Sequence, residues 1–309
     1  MKFILLVLFL QFSFGVANGQ NNHIIETADI NHFWIAFDEL KNAKNKSDSL
    51  TIIQTKYLDK SSKFFKEFIR VRNLKADEYL TIISKYPKFW ESIRVKTQKI
   101  KDRKNEIVAI FDNYEKEIPN FKRPNVCFAI GCLRTGGTVS ENLILIGTEI
   151  AASTPDTDKT ELTPWLKSII GTTGDIGAMV SHETIHTQQK GGYLRDLVEF
   201  SISKGVADFL SEQISGFNIN KSAYVYGVKN DCDLRKEFLA DYAKNKNDIS
   251  KWLYSGTKSV NRPADLGYYI GYQIAKEYYN KSTDKKKAIT KLLNRKNYKK
   301  IHNYPKVLE

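Results

Sequence analysis

The pentad His182-Glu183-Thr184-Ile185-His186 constrains this chain more than any other feature. Residues four apart share one face of an α-helix, so a helix here turns both imidazoles the same way, with a carboxylate beside them. Two nitrogen donors at that spacing can meet one metal ion, and the adjacent carboxylate can serve as base toward a metal-bound water. The flanks support a helix. Residues 175–181 lead in with apolar side chains at Ile176, Met179 and Val180, and Ile185 continues the inner face. The fold class expected around this helix is α+β, predominantly α-helical, with a small antiparallel sheet.

Composition bounds the rest. The chain has 309 residues, 41% of them hydrophobic, which excludes a disordered chain and a disulfide-dense mini-protein. The net charge of +13 first suggests an acidic partner. Much of that excess sits at one end, however. Residues 276–309 carry 11 Lys/Arg against three acidic residues. There Lys285, Lys286, Lys287, Lys299 and Lys300 are interleaved with Ile289, Leu292, Leu293 and Ile301, the pattern of an amphipathic helix with a solvated basic face. No nucleic-acid motif accompanies it. Nucleic acid is therefore not an expected partner, whereas weak association of this segment with an anionic envelope surface is.

Residues 1–19 read as a signal peptide: Lys2, an apolar run over 3–10 and 12–17, then Ala17-Asn18-Gly19. The mature chain is expected to be exported, periplasmic or secreted. Cys127, Cys132 and Cys232 are an odd number, so at least one thiol lacks a partner within the chain. Cys127 and Cys132 lie in what reads as one strand, pointing to opposite faces, which disfavours a bond between them.

After the leader the chain divides into an N-terminal helical region (20–122), a core carrying the pentad (123–229) and a C-terminal helical region packed on that core (230–309). In the first, Phe33, Trp34, Phe37 and Leu40 recur at helical steps, as do Phe64, Phe65 and Phe68. In the core, residues 126–130 and 143–150 read as two strands, antiparallel to one another, joined through a turn at 134–138.

Several motifs resemble a bacterial family of predicted zinc-dependent proteases related to the gliding-motility lipoprotein GldB. They are Gly136-Gly137-Thr138, Ile146-Gly147-Thr148-Glu149, the pentad with Thr187-Gln188, Gly205-Val206-Ala207-Asp208-Phe209, Trp252-Leu253-Tyr254, and the run from Arg262 to Tyr272. The resemblance implies a zincin-like metallopeptidase fold of the glutamate-zincin (gluzincin) type, with zinc as cofactor and a peptide or protein as substrate. His182 and His186 are then metal ligands, Glu183 the catalytic base, and Asp208 the residue that orients a histidine. A glutamate is implied as third ligand, yet its position holds Lys204. An ammonium cannot coordinate zinc, and its charge opposes the cation. Glu199 faces the other side of a helix through Lys204, and Glu212 is about 12 Å further along it at 1.5 Å per residue.

Two functions follow: an exported zinc metallopeptidase (a hydrolase), or a pseudoprotease that keeps the fold and binds a peptide or envelope partner. In the second, Lys204 is expected to ion-pair with Glu183 or Asp208. Tyr268 and Tyr272 are candidates for stabilising an oxyanion or lining the cleft, with helix packing through Gly267 and Gly271 as the simpler reading. The strand over 143–150 is expected to align an extended substrate by edge pairing.

Overall fold

The two apolar runs in the middle of the chain are buried on both faces, and that decides how the sheet is built. In the computed structural model, which describes residues 23–171, 175–256, 259 and 261–302, four strands form one sheet. They are β1 (Ile25–Glu26), β2 (Asn125–Ala129), β3 (Gly137–Ser140) and β4 (Leu143–Gly147), in the order β1-β2-β4-β3. The expected leader at 1–19 lies outside the described residues.

β2 and β4 run parallel, with Val126 opposite Ile144 and Phe128 opposite Ile146. The sheet is therefore mixed, which corrects the expected antiparallel pair. The physical reason is visible in the residues. Val126 to Ala129 and Leu143 to Gly147 carry no polar alternation and are all buried, the signature of strands covered on both faces. The antiparallel partner of β4 is β3, with Gly137 opposite Ile146 and Ser140 opposite Leu143. β3 begins inside the segment read as a turn, and Glu141, at φ 51°, reverses the chain into β4. Because β4 lies between β2 and β3, it cannot pair with a substrate; β3 is the edge strand on that side, and β1 the opposite one. β4 also stops at Gly147, where a short helix begins. Cys132 lies beyond β2 in the following turn, and all three cysteines are free thiols.

Among the described residues six α-helices precede β2: α1 (Ala28–Glu39), α2 (Lys46–Ile53), α3 (Lys63–Arg72), α4 (Ala76–Lys85), α5 (Pro87–Gln98) and α6 (Lys104–Glu117). Their inner faces form an aromatic core of Phe33, Trp34, Tyr57, Phe65, Phe68, Tyr79, Phe89 and Trp90, all fully buried. After β4 come α7 (Thr148–Ala151), α8 (Pro164–Ile169), α9 (Ile176–Gln188), α10 (Leu197–Ser215), α11 (Lys221–Lys229), α12 (Asp231–Lys244), α13 (Gly267–Lys281), α14 (Lys285–Leu292) and α15 (Tyr298–His302). α1 and α3 cover β2, while α9 packs on β3 and β4. In α14 the lysines face solvent over buried Ala288, Ile289 and Leu292. No helix among the described residues is long and apolar enough to cross a membrane.

Two contacts position the site. α10 and α13 touch through backbone: a Cβ on Gly205 would fall 1.9 Å from the Tyr272 nitrogen, and one on Gly271 1.8 Å from the Ser201 oxygen. The connection from β2 to β3 is held from below. The Tyr57 and Tyr79 hydroxyls both donate to the Ile130 carbonyl, at 2.8 and 2.6 Å. The buried Glu149 carboxylate accepts from the Gly131 N–H at 2.9 Å and the Leu133 N–H at 2.6 Å. Cys132 and Leu133 adopt left-handed backbone (φ 58° and 55°), which folds those amides around one carboxylate.

Burial lifts the Glu149 carboxyl to about 7, against backbone hydrogen bonds that favour its ionised form. The neutral form is thus the one the fold prefers. Its contribution to stability is complete below the ordinary value of 4.5 and is lost as pH rises through about 7. Urea unfolding of the unmodified protein should therefore show stability falling across that window by about 3 kcal/mol relative to its acid limit. Glu149→Gln should flatten that slope, whatever its effect on absolute stability.

Candidate metal centre

α9 starts where Asp175 accepts hydrogen bonds from the Gly177 and Ala178 amides, and every residue from Ile176 to His186 is buried. The pentad is therefore an internal helix, and each polar atom on it needs a partner. His182 Nδ1 lies 2.6 Å from Asp208 Oδ1 on α10. The other oxygen of Asp208 accepts from Asn220 Nδ2 and from the Tyr224 hydroxyl, both at 2.7 Å. Since the carboxylate accepts, His182 Nδ1 carries a proton. His186 Nδ1 lies 2.9 Å from Gln189 Oε1. The amide orientation of Gln189 is settled by Ser203, whose carbonyl takes the Gln189 Nε2–H at 2.8 Å and whose hydroxyl donates to Oε1 at 3.0 Å. His186 Nδ1 is therefore a donor too. Burial first, then the charges of Lys204 and His182, push the His186 pKa far below that of an ordinary imidazole, so its Nε2 offers a lone pair.

The two Nε2 atoms converge at 3.1 Å. Such a pair suits zinc, whose nitrogen ligands at about 2.0–2.1 Å stand roughly 3.3 Å apart in a tetrahedron. Both histidines thus fit a metal. The rest of the donor set does not. Lys204 Nζ sits 3.3 Å from His186 Nε2 and 5.9 Å from the ring centres of both Tyr254 and Tyr268. Among the described residues no group of three or more His, Cys, Asp and Glu is placed to hold an ion. Glu199 instead accepts from the Arg195 amide, and Glu212 from Asn218.

Lys204 forms no ion pair with Glu183 or Asp208 among the described residues, contrary to the sequence-based expectation. Asp208 already serves three donors, and Glu183 lies elsewhere, so the free acceptor in reach is the His186 lone pair. The Glu183 carboxylate rests against β3: a Cβ on Gly137 would come within 2.7 Å of Glu183 Oε1. Glycine at 137 thus lets the carboxylate lie at the sheet edge. Tyr268 stacks beside His182, with ring centres 6.2 Å apart and planes 23° from parallel. Tyr272 is placed away from the histidines, edge-on to Phe209 and Tyr224, with Glu212 as a hydrogen-bond partner. Gln189 carried no assignment from the sequence, and Tyr254 had only its place in the Trp252-Leu253-Tyr254 motif. Gln189 follows His186 by three, one face of a helix, and that spacing was the available signal.

Residues 162–298 match a family model described as Predicted Zn-dependent protease (DUF2268). The match spans less than half of the chain, taking in α9, α10 and α13 but not the sheet. No curated protein and no solved structure matches the chain.

Asp208→Ala strands three donors, from buried His182 and from part-buried Asn220 and Tyr224. It should lower unfolding free energy by about 3 kcal/mol, read from the urea midpoint.

Proposed function

We propose that this chain carries the cleft of a zincin-like metallopeptidase in which the Lys204 ammonium stands in for the catalytic cation, so that it binds an extended polypeptide without hydrolysing it. The observation that supports this reading is the approach of Lys204 Nζ to the lone pair of His186, 3.3 Å away. The His186 Nε2 lone pair faces His182 Nε2 at 3.1 Å, and the lysine brings a positive charge to it. Its ammonium nitrogen lies 5.9 Å from the ring centres of both Tyr254 and Tyr268, within reach of a cation–π attraction.

Each neighbouring group then has a binding role. β3 offers its free edge to an extended chain by strand addition. Gly137, lacking a side chain, leaves room for the Glu183 carboxylate to meet a substrate N–H. Lys204 can donate to a substrate carbonyl. The same proposal has the protein exported, on the leader-like composition of residues 1–19, and related to the GldB-type proteins through the motifs above.

A second reading, hydrolysis, is favoured by the two histidines locked with Nε2 free and by the description of the matching family. There His182 and His186 would hold zinc, and Glu183 would serve as the base toward water. The zinc would supply Lewis acidity and an activated water. It requires Lys204 to leave its observed place.

Metal analysis of the full chain purified with zinc present separates the two. The unmodified protein should retain only substoichiometric zinc and leave a mixed peptide library intact. Lys204→Glu should retain about one zinc per chain, as a closed three-ligand set allows. Stoichiometric zinc in the unmodified protein, with peptide cleavage abolished by Glu183→Gln, overturns the binding-only reading.

A further inference from the structure

Arg72 is the last residue of α3, half-buried at the start of β3. Its Nε is buried and has no hydrogen-bond partner, and its Nη2 makes one long bond, 3.3 Å to Thr135 Oγ1. The other arginines nearby are paired: Arg70 with Glu67 at 2.6 Å, and Arg134 with Glu78. Arg72 has no carboxylate within ion-pairing distance among the described residues. Burial is the largest influence on its guanidinium, and Glu183 in the pentad is the strongest attractive charge that offsets it. Thr135, which Arg72 touches, donates in turn to the Gly137 carbonyl at 2.6 Å, and Gly137 is the residue against which Glu183 rests. A half-buried guanidinium is therefore held near the Gly137 end of the edge strand, with its buried Nε donor idle and its Nη2 only weakly engaged. Taking even part of a cation out of water without a close counter-ion is unfavourable.

Strand direction indicates what the idle donors meet. β3 runs from Gly137 to Ser140, and antiparallel addition is the more stable pairing. A polypeptide added that way has its C-terminus at the Gly137 end, beside Arg72. We infer that Arg72 is the carboxylate-recognition residue of the cleft, and that the preferred ligand is a polypeptide engaged by its free C-terminal carboxylate. The planar fork of arginine matches a carboxylate with two parallel hydrogen bonds. This inference rests on the strand-addition reading above, and it goes beyond that reading in naming the end of the chain that is bound.

The test uses the full chain and two probes. The first is a fluorescent tetrapeptide library prepared as free acids, as C-terminal amides, and as amides with an internal Asp or Glu. Free acids should bind about 10- to 100-fold more tightly than neutral amides, the span of a charge-assisted contact. Arg72→Gln should erase that preference, and Arg72→Lys should keep part of it. Amides that bind as well as acids, or a preference that survives Arg72→Gln, overturn the inference and leave strand addition standing. Tight binding of only the amides with an internal Asp or Glu overturns the C-terminal assignment. The second probe is N-acetyl-leucine against its amide, followed by the Nε–H resonance of Arg72, identified by its loss in Arg72→Gln. A shift with the acid alone supports carboxylate recognition even where no tetrapeptide binds, which would instead count against strand addition. No shift with either compound overturns the inference.

Discussion

The site depends on one steric constraint, the contact of α10 with α13 through two glycines. Gly205 and Gly271 bring helix backbones together at a distance no side chain tolerates. Two consequences follow along the chain. Lys204 precedes Gly205, so its stem leaves α10 at the edge of the contact and its head lies between Tyr254 and Tyr268. Tyr268 lies one turn before Tyr272, so the same contact seats its ring beside His182. A wider helix spacing would separate the aromatic pair from the histidines and leave the ammonium to solvent.

Within that frame the centre is arranged around acceptors. Asp208 and Gln189 each take an Nδ1–H, which turns both Nε2 atoms inward as bases. Such a pair attracts whatever positive charge can reach it. In a metalloenzyme that is a divalent ion; here an ammonium tethered to the neighbouring helix is already within reach. The tether matters, since a charge on the same chain competes with a dilute ion at a high effective concentration.

The sequence made some of this legible and hid the rest for identifiable reasons. The helix through the pentad, the class α+β and the solvated lysine face of α14 follow from periodicity, which reports burial on one side of an element. Strand direction does not follow from it. Val126-Cys127-Phe128 and Leu143-Ile144-Leu145 look alike in either orientation, and what separates β2 from β4 in sequence is the four-residue β3, too short and too glycine-rich to register. His182, Lys204 and Asp208 stood at helical spacings in the text, so their meeting could be sought. The bonding partner of Lys204 could not: charge alone favours Glu183 or Asp208, while three donors on Asp208 and the recess at Gly137 leave an imidazole nitrogen as the free acceptor. Arg72 carried no local signal at all, because its place at β3 comes from the packing of α3 on the sheet.

The parallel pairing of β1 with β2 has a consequence for how the molecule assembles. The Ile24 amide donates to Asn125 across 101 positions of chain, and Tyr57 reaches Ile130 across 73. Closing loops of that size precedes any gain from the contacts they enable. Both contacts tie the sheet to the packing of the helices that lie between β1 and β2. Without that packing the rear support of the β2–β3 connection, Ile130 with its two tyrosines, does not form. Loosening the N-terminal helices should therefore reach that connection through Tyr57 and Tyr79.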